Sequence, residues 1–346
     1  MLEIDGSYGE GGGQLLRLAV ALSAITGAGV CITNIRVRRD KPGLAAQHLA
    51  GVLAVGKLCS ARIEGLILRS QQIVFEPAML RGGDYRFDVG TAGSITLVLQ
   101  ALLPVMLAVH LPCKVHITGG TDVRQAPAAD YLHEVIIRLV ERLGARVTMR
   151  VLRRGYYPRG GGEIELAVRP AMLSSAVFDA SGYSKAICGV AHVANLPEHI
   201  ALRMKQAVLN RLGAYGTQAS IETQIMGREA AFGAGGAIVC WLESEHTVLG
   251  AARVAERGVS AETLGETVGE ELATDIAAGA ALDIHAADQM LVYLALVGGG
   301  SFSTRSVSLH ARTAMWLIEQ FLPVTFEVTE SSGLAYVTVR ARGEQS

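Results

Sequence analysis

The sequence predicts a mixed α/β (α+β) protein assembled from repeated units, with a smaller α/β domain inserted late in the chain. Three observations lead there. A short strand pattern, a glycine-rich corner and an apolar helix pattern recur in that order. Half of the 346 residues are hydrophobic and 18% are charged, so the chain can bury a sizeable core. The stretch from about 181 to 277 interrupts the recurrence with elements of a different order.

Residues 2–5 alternate as a strand, Gly9 to Gly13 form a loop, and Gln14 to Thr26 read as a mostly buried helix. Asp84 to Val89 is again strand-like and leads through Gly90-Thr91-Ala92-Gly93-Ser94 into a helix from Ile95. Val115 to Ile117 passes through Gly119-Gly120-Thr121-Asp122 to Pro127 and an amphipathic helix ending at Leu143. On it Tyr131, Val135, Leu139 and Leu143 share one face at four-residue steps. Ser303 to Leu309 with a helix from Thr313 to Phe321 gives a fourth copy, alike in pattern rather than identity. The interruption holds Tyr183 to Val193, a helix from 198 to 212, a strand from 217 to 225 and a corner at Gly233, Gly235 and Gly236. Residues 1–180 and 278–340 are therefore assigned to a main domain. Residues 181–277 are assigned to an insert between the third and fourth copies.

Composition excludes several classes. Lys plus Arg total 31 against 32 acidic residues, a formal charge of -1, so a protein coated in nucleic acid is not expected. A local basic site remains possible. Cys31, Cys59, Cys113, Cys188 and Cys240 are too scattered for a zinc knuckle or a disulfide framework and fit reduced thiols. Met1-Leu2-Glu3-Ile4-Asp5 lacks the basic start of a secretion signal. Residues 89–113 carry no Asp, Glu, Lys or Arg, but Gly90, Gly93, Gln100, Pro104, His110 and Pro112 argue for a turn, a buried helix and a strand rather than a membrane span. A cytoplasmic protein is expected, and its apolar sheet edges are compatible with a homodimer.

Three segments can carry chemistry. Glu10-Gly11-Gly12-Gly13-Gln14-Leu15-Leu16-Arg17 clears side chains from the backbone, so that N–H groups beside a helix start can cradle an anion. Gln14 and Arg17, three apart, can face one ligand, and Glu10 can offer oxygen to a divalent cation. The spacing fits neither GxxxxGK[ST] nor GxGxxG, and the loop serves equally well as a tight turn before a core helix. Arg36-Val37-Arg38-Arg39-Asp40-Lys41 gathers positive charge next to a turn, ahead of Gln47 and His48. If this is strand, Arg36 and Arg38 share a face. A phosphate site competes there with a solvated edge. In Ser308-Leu309-His310-Ala311-Arg312-Thr313, a histidine at a strand-to-helix junction can be nucleophilic, with Thr313 orienting the ring or capping the helix, although a lone histidine is more often structural. No HExxH and no GxSxG elbow is present, which argues against zinc hydrolysis and a serine hydrolase.

Together these segments resemble the RNA 3′-terminal phosphate cyclase family. The likeness also includes Arg81-Gly-Gly-Asp84-Tyr-Arg-Phe87, Gly90 to Ser94 with Gln100, Gly119 to Asp122 and Gly160 to Gly162, and it runs nearly end to end. It implies β-α-β-α-β-β units like the repeat in the C-terminal domain of translation initiation factor three, with a small α/β insert. It also implies ATP and Mg²⁺ (or Mn²⁺), an RNA with a 3′-phosphate end as partner, and His310 as the residue that takes AMP before a 2′,3′-cyclic phosphate forms. By the same resemblance Glu10 is the metal contact, and Arg17, Arg36, Arg39 and Gln47 line the phosphate and RNA-end site. Gln14, Gln100, Pro127, Asp288 and Gln289 lie near the nucleotide. His285 stands where the family often has a tyrosine against the adenine, which implies weaker stacking or altered nucleotide preference. A non-catalytic RNA-binding relative would lack His310, and enolpyruvyl transferases would not require it.

Overall fold

The protein is described from a computed structural model that covers residues 1–180, 187–214, 216 and 218–343. The expected start of a strand at Tyr183, and residue 217, lie outside the described residues. β1 (Leu2–Asp5), α1 (Gly13–Thr26), β2 (Val30–Thr33), α2 (Ala46–Cys59), β3 (Arg62–Glu64) and β4 (Ile73–Glu76) form the first unit. Its sheet runs β1-β2-β4-β3, with β1 and β2 parallel and the remaining pairs antiparallel. β5 (Gly83–Asp88), α3 (Ile95–Ala108), β6 (Cys113–Gly119), a long helix α4, β7 (Arg146–Arg153) and β8 (Gly162–Arg169) repeat that topology in the order β5-β6-β8-β7. In α4, Ala129–Tyr131, Leu132–Ile137 and Arg138–Arg142 follow without a break, the middle part π-helical. Tyr131, Val135, Leu139 and Leu143 are all buried, as their spacing requires.

β9 (Ala176–Phe178) opens a third unit that closes only after an excursion. The excursion contains β10 (Ile187–Ala194), α5 (Glu198–Gly213), β11 (Ala219–Met226), β12 (Gly235–Glu243), β13 (Val248–Val254) and α6 (Ala261–Ala278), its sheet ordered β11-β10-β12-β13. The third unit then resumes with α7 (Ile284–Leu296), β14 (Gly299–Thr304), α8 (Leu309–Phe321), β15 (Val324–Ser331) and β16 (Leu334–Ala341), in the order β15-β16-β14-β9. The described chain thus holds three β-α-β-α-β-β units rather than four copies. The expected second and third copies are the two halves of one unit, because a strand–corner–helix pattern occurs twice in each. The excursion falls inside the third unit, between β9 and α7.

Side-chain alternation explains the sheets. β6 reads buried and half-buried at alternate positions along its whole length, the pattern of a strand with one face on a core. Helices of different units pack on one another, α1 against α3 and α8, and α2 against α3, so the three units share one continuous apolar core. One face of the excursion's sheet packs on its own helices, where Met204 and Val208 of α5 meet Val268 and Leu272 of α6, and its other face joins the main core through Val190, Val239 and Val248. The uncharged stretch 89–113 is the turn, buried helix α3 and start of β6, and no helix among the described residues is long and apolar enough to cross a membrane. All five cysteines are free.

Candidate active site

The glycine loop is shaped by what stands opposite it. Gly9 and Gly11 have φ of 58° and 63°, a region costly for side-chain-bearing residues. A Cβ on Gly9 would collide with the Thr313 hydroxyl, and one on Gly13 with the ring of His48. Thr313 Oγ1 accepts from the backbone N–H of Glu10 at 3.3 Å and donates to the Leu309 carbonyl at 2.7 Å. Thr313 therefore holds the loop and does not cap the helix. Ser308 does that: its hydroxyl accepts from Ala311 N–H at 2.9 Å and donates to Asp288 at 2.6 Å. Because the cap is Ser308, α8 starts at Leu309 rather than Thr313. His310 consequently lies in the first helical turn, near the positive end of the helix.

His310 is half-exposed, and its Nδ1 lies 3.7 Å from Glu10 Oε2. Glu10 Oε1 forms an ion pair with Arg39. Burial pushes the His310 pKa below its ordinary value. Asp288 opposes that, while Arg17, Arg39 and His285 add to it. Asp288 is itself raised to about 6, chiefly by desolvation, with its bond to Ser308 and the charge of His310 pulling the other way.

Beside them lies a cavity lined by Gln14, Arg17, Gln100, Asp288 and Gln289, closed by Leu18, Val292 and Tyr293. Two turns of α1, the middle of α3 and the start of α7 thus bring together five predicted residues from three helices. Arg17 Nη2 donates to Gln100 Oε1 at 3.3 Å, and Gln100 Nε2 donates to Gln289 Oε1 at 2.8 Å. Gln289 in turn donates to the His285 carbonyl at 3.2 Å. Arg17 Nε is buried with no hydrogen-bond partner, and burial lowers the Arg17 pKa to about 10. A guanidinium held this way is an anion receptor with donors in reserve.

The other predicted residues fall at different distances from this centre. β2 ends at Thr33, so Arg36 is not on a strand; it sits in a turn at φ 55° and donates to the carbonyls of Lys41 (3.0 Å) and Gly43 (2.7 Å). Its guanidinium fastens the basic loop on itself while still bearing on His48. Gln47 Oε1 accepts from Ser94 N–H at 3.3 Å, joining α2 to the start of α3. The Pro127 carbonyl accepts from Thr96 at 2.8 Å, and neither Pro127 nor His285 lines the cavity. His285 is exposed in the first turn of α7, close enough to bear on Asp288 and His310.

Sequence reasoning gave His48 no role. It is buried, its Nδ1 accepts from Ala45 N–H at 3.1 Å, and its pKa is pushed down to about 3 by burial and then by Arg17 and Arg36. The accepting Nδ1 leaves the proton of the neutral ring on Nε2, which faces Gly13 next to Arg17. Only its place at the third position of α2, beside Gln47, hinted at this.

Asp122, from the predicted Gly-Gly-Thr-Asp corner, belongs to a second cluster. Arg154 bonds Asp122 at 3.3 Å and Asp130 at 2.7 Å, and His192 of β10 lies 3.3 Å from Asp130. Tyr156 closes the group through its hydroxyl, 3.0 Å from His192 Nδ1. The corner thus ties the second unit to the excursion.

The fold and this centre define an α/β protein of three repeated units whose helices converge on an anion-receiving pocket beside a histidine. A family model described as RNA 3′-terminal phosphate cyclase matches residues 8–328. Proteins named RNA 3′-terminal phosphate cyclase are similar over nearly the whole chain. The one from Nitrosospira multiformis is 53% identical, covering 99% of this chain and 97% of its own length. Those from Methanosarcina barkeri (42%; 98% and 100% covered) and Pyrobaculum neutrophilum (43%; 97% and 97%) are similar too. The chain belongs to the RNA 3′-terminal phosphate cyclase family.

Proposed function

We propose that the protein converts an RNA 3′-terminal phosphate into a 2′,3′-cyclic phosphodiester at the expense of ATP. The observation that carries this reading is Arg17, a half-buried cation whose buried Nε is a donor in reserve, lining the cavity beside His310.

His310 is the nucleophile. Its Nδ1 is turned toward Glu10, which leaves Nε2 to attack the α-phosphorus of ATP. The new N–P bond forms as the bond to pyrophosphate breaks. A lowered pKa keeps the ring neutral, with its lone pair available, near pH 7. Arg17 and Arg39 offset charge on the phosphoryl oxygens. The 3′-phosphate of the RNA next takes AMP from His310. The adjacent ribose 2′-hydroxyl then attacks that phosphorus and expels AMP. Both groups are on neighbouring carbons, so the last step is one of proximity.

Gln14, Gln100, Asp288 and Gln289 are assigned to the nucleotide, with Pro127 and His285 toward its base; Gln47 and Arg36 position the RNA end. Glu10, a hard carboxylate donor, would hold Mg²⁺ or Mn²⁺, and a bound ion would neutralise leaving-group charge. The division into residues 1–180 with 278–340 and an insert at 181–277 belongs to the same reading and is supported by the apolar cluster between α5, α6 and one face of the excursion's sheet.

Incubation with α-labelled ATP and Mg²⁺ tests the first step. Acid-labile label is expected on the wild-type chain and not on His310→Ala, and a 3′-phosphorylated oligonucleotide should discharge it. No label on folded wild-type protein would leave a non-catalytic RNA-binding protein as the better reading.

A further inference from the structure

The glycine loop lies along α8 in a fixed register. Glu10 is opposite His310, the Glu10 N–H and Gly9 are opposite Thr313, and Tyr8 is opposite Trp316. The Tyr8 and Trp316 rings stack with centroids 3.8 Å apart and planes 23° from parallel. Trp316 is half-buried and packs on the main core, whereas Tyr8 remains 43% exposed. One face of Tyr8 is thus fixed on a rigid support and the ring still presents aromatic surface to solvent. Arg312 is exposed on the same helix, four residues before Trp316 and therefore on its side. Arg38 is exposed and bears electrostatically on Asp5, at the start of the loop. Neither arginine forms an ion pair among the described residues.

We propose that Tyr8, seated on Trp316, is a stacking platform for a nucleobase of the RNA strand upstream of its 3′ end, with Arg312 and Arg38 taking adjoining phosphates. This rests on the RNA-end reading above. Trp316 is six residues beyond His310, about 9 Å along the helix, the span of two to three nucleotides at about 3.4 Å each. The base is therefore the second or third from the end. A π face accepts any base, so the platform adds grip without sequence preference.

The test uses the full chain and 3′-phosphorylated oligonucleotides with 2-aminopurine at the second or third position from the end. Quenching of the 2-aminopurine on binding is expected with wild type and Tyr8→Phe and is lost with Tyr8→Ala. Removing a stacking partner is worth about 1–3 kcal/mol per base, so Tyr8→Ala should raise KM for a ten-nucleotide substrate by roughly 5- to 150-fold. A substrate too short to reach Tyr8 should keep its KM, and label uptake from ATP without RNA should be unchanged; a merely structural role would alter both. Equal quenching and equal KM in wild type and Tyr8→Ala would overturn the platform. Failure of the wild type to cyclise any 3′-phosphorylated RNA would defeat the RNA-end reading itself, and the platform with it.

Discussion

The carboxylate of Glu10 lies 3.7 Å from Nδ1 of His310, although the two residues are 300 positions apart in the chain. That approach depends on α1 packing against α8 and on Thr313 catching the backbone of the loop. It fixes which ring nitrogen faces outward, and it links the first unit of the fold to the last.

Arg17→Gln should separate stability from function. Arg17 is half-buried, with its Nε buried and without a partner, so a neutral side chain relieves a desolvation cost. Thermal unfolding should show a midpoint equal to or above wild type. Label uptake from ATP should fall by about 100-fold, the worth of a charge-assisted contact of 2–3 kcal/mol. A destabilised variant with normal uptake would contradict the assignment.

The Asp288 pKa of about 6 makes a pH-dependent statement. Raised above its unfolded value, it favours the fold at low pH, and that contribution is lost as pH rises through about 6. Asp288→Asn, which cannot ionise, should therefore gain stability relative to wild type at pH 8, by up to about 3 kcal/mol, and gain little at pH 4. Denaturant titrations at the two pH values measure the difference.

His310 should become protonated only below its ordinary range, so self-adenylylation should be flat above pH 7 and fall on the acid side. Asp288 raises the His310 pKa, so Asp288→Asn should move the acid limb to lower pH. A limb that moves upward would mean that Asp288 does not face the ring as described.

Gly9→Ala meets two obstacles at once, a φ of 58° and the Thr313 hydroxyl. A destabilisation of at least about 1 kcal/mol is expected, with a larger loss of label uptake because Glu10 is displaced. Gly27→Ala, also at positive φ (74°) but with open space around its Cβ, supplies the control for backbone strain alone.

Arg154→Met should be among the most damaging changes outside the pocket. It leaves Asp122 buried without its cation and weakens the hold of Asp130. A loss of about 3–5 kcal/mol is expected in denaturant titration, the cost of breaking one half of a buried ion pair. Asp122→Asn combined with Arg154→Met should recover part of it.

Local patterns made much of this legible. Alternation marked β1, the four-residue stripe from Tyr131 to Leu143 marked α4, and the glycine cluster marked the loop, because each depends on neighbours along the chain. Residue chemistry together with the family resemblance singled out Gln14, Arg17, Gln100, Asp288, Gln289 and His310. The number of units was not legible, since a strand–corner–helix pattern occurs twice per unit and only strand pairing shows which halves share a sheet. Nor was the register of the glycine loop on α8. The proton position of His48, the stack of Tyr8 on Trp316 and the turn of Arg36 onto its own loop each depend on groups that touch only after folding. The sequence by itself determined which residues can bind anions and where the backbone can bend. Tertiary packing decided which of them meet, because burial and distance set the charge state of a histidine and the free donors of an arginine, and neither exists in the unfolded chain.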